Sequence, residues 1–148
     1  MAATFFDPAH RDALLARFAR VAADTPARWG SMDAPRMVAH LADALRMTLG
    51  DLECRSKPGP FRIPALRWLI IRALPWPKGT PTAPELLARA PEEWEREVAE
   101  LRALAARVAE RGPAGPFGTH PAFGDMPGPL VGHLLARHMD HHLRQFGA

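Results

Sequence analysis

Seven histidines occur in this chain of 148 residues, and three of them fall in one short stretch, HMDHHLRQF, at residues 138–146. His138 and His142 are four apart, a spacing that on a helix stacks two side chains on one face with Cβ atoms about 5–6 Å apart. Imidazoles so placed can share one metal ion, each through a ring nitrogen. On a helical wheel the pair falls in the centre of an apolar stripe of Val131, Leu134, Leu135 and Phe146, with Gln145 on the same side. Arg137, Asp140 and Arg144 point away, His133 projects outward and His141 sits on the flank. A buried polar group without a partner costs on the order of 1–3 kcal/mol, so two imidazoles in leucine positions demand one. Either each is a core residue hydrogen-bonded to a neighbour, or the pair serves a metal or a reaction.

A second segment supplies a third nitrogen. His40, in MVAHLADAL, lies at the edge of a stripe formed by Met37, Leu41 and Ala44. Two histidines from one helix and one from another make a three-nitrogen site with positions left open for water or substrate, the pattern of catalytic rather than structural centres. Spacing alone does not bring those two helices face to face. The remaining candidates read more plainly. His120, in THPAFG, is a turn residue beside Pro121, with closure over a pocket as its alternative. His10 is expected to be exposed. Asp43 is expected to be a solvent-facing acid, with a hydrogen bond to a ligand histidine as its alternative. Cys54 has no paired base. Trp29, Trp68, Trp76 and Trp94 are read as packing residues, one of them available to line a pocket. There is no GxSxG, no phosphate-binding glycine loop and no CxxC.

The elements that must position these residues follow from apolar periodicity. Asp7-Pro8 starts a helix that the stripe Leu14, Leu15, Phe18 and Val21 carries to about residue 23. A second helix spans 33–49, capped by Asp33 and stopped by Gly50. A third spans 91–111, with Trp94, Val98, Leu101, Leu104 and Val108 on one side. A fourth spans 127–146. Between the second and third lies a proline-rich crossover, 57–84, which includes a short apolar helix over 65–74. No alternating run of β-branched residues marks a strand, and Tyr is absent. The expectation is an all-α fold, a four-helix bundle with a long crossover between helices two and three, in a single domain over 1–148.

Composition bounds the partners. An apolar content of 47% argues against disorder. The most hydrophobic piece, 63–74, contains Arg67 and Arg72 and is too short to span a bilayer. MAATFFDPAHRD lacks the basic-then-apolar order of a signal peptide, and a single cysteine leaves no internal disulfide. A cytoplasmic protein with no membrane partner is expected. The net charge of +3 comes from seventeen Arg and two Lys against sixteen acids. These cations read as scattered and interleaved with acids, as in EEWEREVAELRALAARVAER, rather than as the concentrated stripe of a nucleic-acid binder. No nucleic-acid partner is expected.

With His40 and HMDHHLRQF together, the chain resembles the DinB/YfiT-like superfamily of metalloenzymes over nearly its whole length. The resemblance is carried by Trp29, by MVAHL with His40, by the long crossover, and by the His138-x-x-x-His142 pair followed by Gln145. HPAFG at 120–124, followed by HMDHHLRQFG, is similar to one branch in which HP-x-FG and H-x-DHHLRQFG recur. What the resemblance implies is an up-down-down-up four-helix bundle holding a divalent metal ion, most often zinc or nickel, on His40, His138 and His142. It further implies a metal-activated water or low-molecular-weight thiol acting on a small-molecule substrate, as a thiol transferase, isomerase or hydrolase, and often a homodimer. Gln145 is the candidate for orienting a ligand by hydrogen bonding. The superfamily's usual ending after the second histidine is Arg-Gly-Gln; here it is Leu-Arg-Gln, so the glutamine is kept and the glycine is not. A non-catalytic metal-binding or stress-response bundle protein with the same histidines is the alternative reading.

Overall fold

A computed structural model describes residues 3–148. Among these residues the chain forms five α-helices and no strand: α1 Pro8–Arg17, α2 Ala34–Leu49, α3 Pro64–Arg72, α4 Trp94–Arg111 and α5 Gly128–Gln145. Three 3-10 turns, Phe18–Arg20, Pro60–Arg62 and Pro84–Leu86, lie between them. The all-α expectation holds.

The helix limits follow local chemistry. The Asp7 carboxylate accepts from the backbone N–H of Ala9 and His10 and starts α1, and Asp33 does the same for α2 through Arg36 N–H at 2.8 Å. Gly50 closes α2 in the left-handed conformation, φ 86°. The first helix stops at Arg17 instead of running to residue 23. Beyond the 3-10 turn the Thr25 hydroxyl accepts the Ala22 N–H at 2.8 Å, a bond that competes with helix, and Pro26 disfavours helical backbone at Thr25. The third long helix begins at Trp94 rather than 91. The Glu92 N–H is already taken by the Glu97 carboxylate at 2.7 Å, and the Glu93 side chain caps the first turn.

Helix α2 is the centre of the molecule, with thirteen of its sixteen residues buried, so its polar side chains must be satisfied within the protein. It packs on α4, while α5 carries α1 and α3 and also meets α2. Met37, Leu41 and Leu45 of α2, Leu101, Leu104 and Val108 of α4, and Val131, Leu135, Met139 and Leu143 of α5 belong to one cluster, closed by Leu14 and Phe18. Each such side chain contributes about 1.5–3 kcal/mol on burial. The N-terminal segment crosses α5 at Gly132. A Cβ there would lie 2.5 Å from Phe6 and Thr4, and the Gly132 carbonyl accepts the Phe5 N–H at 3.0 Å.

Asp43 corrects the expectation of a solvent-facing acid. It is 4% exposed, and its Oδ1 accepts from Arg46 Nη1 and from Arg89 Nε. Arg89 also grips the buried Glu97 carboxylate with both terminal nitrogens. Arg137 and Asp140, expected to point away from the apolar stripe, are turned onto neighbouring elements. Arg137 donates to the carbonyls of Ile70, Ile71 and Leu74 and so caps the C-terminus of α3. Asp140 pairs with Arg17 at 2.7 Å.

The crossover is anchored at both ends. Ile71 of α3 packs with Leu130 and Leu134 of α5, and Ala83 and Leu86 pack with Ala44 and Met47 of α2. Between those anchors the outer side of α3 is left uncovered, with Trp68 51% exposed. Urea denaturation should separate the two environments. Leu101→Ala should cost about 3 kcal/mol by opening a cavity in the core, and Trp68→Ser less than about 1 kcal/mol. Equal losses would mean that the outer face of α3 is packed.

Candidate metal centre

His40 of α2 meets His138 and His142 of α5. The three ring centroids form a triangle 4.9 Å on each side, with planes 66–88° apart. One ring nitrogen from each lies within 4.8 Å of the other two. His40 and His142 are buried and His138 half-buried.

Hydrogen bonds fix which nitrogen of each ring carries the proton. His40 Nδ1 lies 3.3 Å from the Leu86 carbonyl. A carbonyl only accepts, so Nδ1–H donates and the lone pair of His40 is on Nε2. Leu86 is held in turn by the segment that follows it. Arg36 donates to the carbonyls of Leu87 and Arg89, both at 2.8 Å, and the Arg89 side chain is clamped by Asp43 and Glu97. A corresponding chain fixes His142. Gln145 Nε2 donates to the Trp29 carbonyl at 3.0 Å, which leaves Gln145 Oε1 to accept from His142 Nδ1–H at 2.8 Å, so the His142 lone pair is on Nε2. The turn carrying Trp29 is made by Gly30 at φ 78°, where a Cβ would lie only 3.0 Å from Gln145 Nε2. The amide of Gln145 is therefore engaged with His142 and Trp29, and it orients an imidazole.

His138 Nε2 sits 3.0 Å from His40 Nε2. Because His40 Nε2 bears a lone pair, His138 Nε2–H is the donor when no ion lies between them. Tetrahedral bonds of about 2.0–2.1 Å to imidazole nitrogen set neighbouring donors about 3.3–3.4 Å apart. His40 and His138 bring their Nε2 atoms somewhat closer than that, and with the outer nitrogens of two rings committed to oxygen acceptors the three imidazoles could hold a metal ion. Imidazole donors suit zinc and nickel alike.

Two tryptophans border the cluster. Trp76 lies 6.3 Å from His138 and 6.1 Å from His141 between ring centroids, with the Arg137 guanidinium 5.0 Å above it. Trp29 meets His141 edge-on at 5.8 Å, with the Lys78 ammonium 4.6 Å from its ring. Trp94 packs against the core and Trp68 is exposed. His120 forms the expected turn: its Nδ1 accepts from the N–H of Ala122 and Phe123, both at 3.1 Å. His133 bonds the Ala3 carbonyl and Arg72. His10, expected to be exposed, is half-buried. Burial pushes the Cys54 thiol up, helped by Glu85 and Asp43, which leaves little thiolate. Leu86 and the Asp43–Arg89–Glu97 clamp were missed in the sequence. Their signals were an acid three residues after His40 on a mostly apolar helix, and Glu97 sitting on the apolar face four residues before Leu101.

The sequence model of the family described as "Protein of unknown function (DUF1569)" matches residues 8–148, and the chain belongs to that family. No curated protein and no solved structure matches it. All three histidines and Gln145 lie inside the matched span.

Burial keeps the cluster neutral. It lowers His138 well below the ordinary imidazole value, reinforced by His142 and His40. It lowers His142 to about 3, with His40 adding to the effect and the Gln145 bond opposing it. His40 is lowered too, since burial outweighs the Leu86 bond, and burial brings His120 to about 4. The unfolded chain protonates these rings near about 6.5, so below that pH unfolding takes up protons and stability falls as pH falls. For chelator-treated protein, urea denaturation at about pH 5 should give a stability lower than at about pH 7.5, with on the order of 2 kcal/mol of the loss from His142 alone. A stability that holds constant over that range would contradict the neutral, buried cluster.

Proposed function

We propose that this chain is a divalent-metal-dependent enzyme of the DinB-like kind, a four-helix bundle of up-down-down-up topology whose ion, zinc or nickel, is held by His40, His138 and His142. The observation that carries the reading is the 4.9 Å triangle of imidazoles with the outer nitrogens of His40 and His142 tied to oxygen acceptors. Three protein donors leave part of a tetrahedral shell for an exogenous ligand. The ion would supply Lewis acidity, which lowers the pKa of a water or thiol at the open position.

The chain's own residues do the rest. The Leu86 carbonyl and Gln145 hold two imidazoles in the tautomer that presents Nε2, a type of support whose loss commonly costs 10–100-fold in affinity. Trp29 and Trp76 give the cluster an apolar border, which restricts water. A small molecule, with a low-molecular-weight thiol as co-substrate or a water as nucleophile, would take the position that the three imidazoles leave open. Thiol transfer, isomerisation and hydrolysis all fit this arrangement. The depth of His40, 2% exposed, favours a second reading, a closed and non-catalytic metal site. Turnover of thiol-acceptor pairs or esters that disappears with the metal would decide between them.

Elemental analysis of the purified full chain should find one equivalent of a divalent transition metal, lost in His138→Ala and in His142→Ala. Unchanged metal content in both variants would remove the site. Gln145→Leu should keep the fold but weaken metal binding about 10–100-fold in a competition titration with a chromophoric chelator.

A further inference from the structure

The net charge of +3 conceals a division that the sequence reading passed over. Residues 55–84 carry six cations, Arg55, Lys57, Arg62, Arg67, Arg72 and Lys78, and no acid, leaving thirteen cations against sixteen acids elsewhere. None of those six takes part in an ion pair among the described residues. Arg62 and Arg67 spend their hydrogen bonds on the carbonyls of Pro121, Phe123 and Asp125 and on the Ser56 hydroxyl, and Arg72 lies against His133 and over Trp68. The carboxylate of Glu85, just beyond the segment, accepts the Arg55 backbone N–H.

The same segment holds five of the six large apolar side chains exposed among the described residues: Phe61, Ile63, Trp68, Leu69 and Leu74. On α3 Pro64, Ala65, Trp68, Leu69 and Arg72 are exposed, and the last four, spaced i, i+3, i+4 and i+7, share one face of the helix. The opposite side, with Ile71, is seated on α5. A basic surface with tryptophan, phenylalanine and leucine standing out of it matches what binds at a lipid interface, where cations meet anionic headgroups and apolar side chains enter the acyl boundary. No helix among the described residues is long and apolar enough to cross a membrane, so such contact is peripheral.

We propose that the outward face of α3 and the basic crossover around it dock this protein on an anionic lipid surface. Charge decides among the occupants. A second copy joined through this face by a two-fold axis would set cations of the crossover against the same cations of its partner, since such an interface is self-complementary. A nucleic-acid duplex would neutralise the cations but leave the apolar side chains uncovered. An anionic bilayer satisfies both.

The full-length protein is incubated with sedimentable vesicles of phosphatidylcholine alone and of phosphatidylcholine with phosphatidylglycerol. Binding should appear only with phosphatidylglycerol and drop at least about tenfold on raising the salt from low to high ionic strength. The double variant Trp68→Ser/Leu69→Ser, altered at exposed positions away from the histidines, should bind at least about tenfold more weakly. Its metal content and circular dichroism should stay unchanged, so failure here and failure of the metal site are distinguishable. Lys57→Glu should also weaken binding. No sedimentation with either vesicle, or equal sedimentation with both, would overturn the proposal. So would binding to a DNA duplex or self-association that the double variant removes, if vesicles are not bound.

Discussion

Burying His40 is the constraint on which the rest of the structure turns. It sits on a helix that is inaccessible on nearly every side, and a buried imbalance of donor and acceptor costs on the order of 1–3 kcal/mol. The Nδ1–H of His40 finds its acceptor in another element, the Leu86 carbonyl of the 3-10 turn that closes the crossover. The crossover must therefore return to α2 at one defined place. Arg36 takes the carbonyls of Leu87 and Arg89, and Arg89 spans Asp43 on α2 and Glu97 on α4. Those two carboxylates are buried where α2 and α4 pack, and one guanidinium shared between them satisfies both. The costly burial of charge thus serves to fix a segment, a use in which ion pairs contribute specificity more than stability.

Within the cluster, two effects oppose one another and desolvation wins. The bonds from Leu86 to His40 and from Gln145 to His142 favour protonated rings, yet both are lowered because burial removes more solvation than those bonds return. Asp43 and the Leu86 bond only partly offset burial at His40, and charge on His138 is further disfavoured by His142 and His40. Three neutral imidazoles in contact carry lone pairs suited to a cation and no proton to give near neutral pH. The arrangement is poorly suited to general acid chemistry by the triad itself and well suited to ligation.

The triad was legible because helix period and residue type are local properties. His138 and His142 four apart in an apolar stripe could be placed on a wheel, and the caps Asp7, Asp33 and Gly50 marked helix ends that the structure keeps. That α2 and α5 cross at His40 is not local. It depends on which faces pack, so the place of His40 at the edge of its own stripe made it a candidate partner of the pair and no more. The partners of the histidines were harder still. Leu86 contributes a backbone carbonyl, which any residue could supply, and Trp29 does the same for Gln145. Asp43 was misread because a single acid on a helix usually faces water, whereas α2 has almost no wet side. The early end of α1 turned on the Thr25 hydroxyl and Pro26, short-range chemistry that an apolar stripe through Val21 masked. The charge of the crossover was misread because cations were counted over the whole chain.

The exposed face of α3 and the histidine cluster are joined by one short piece of structure. Arg137, which directly precedes His138, caps α3 through the carbonyls of Ile70, Ile71 and Leu74. Trp76, four residues beyond the end of α3, donates its indole N–H to Ile70 at 3.1 Å and lies beneath the Arg137 guanidinium and beside His138. Ile70 thus binds, through one carbonyl, both the side chain that caps the helix and the ring that borders the histidine cluster. Its neighbours Trp68 and Leu69 face outward from the same turn. With Ile71 locked into α5, α3 cannot tilt without disturbing that carbonyl. The outer surface of the crossover and the border of the cluster are therefore two sides of one mechanical unit.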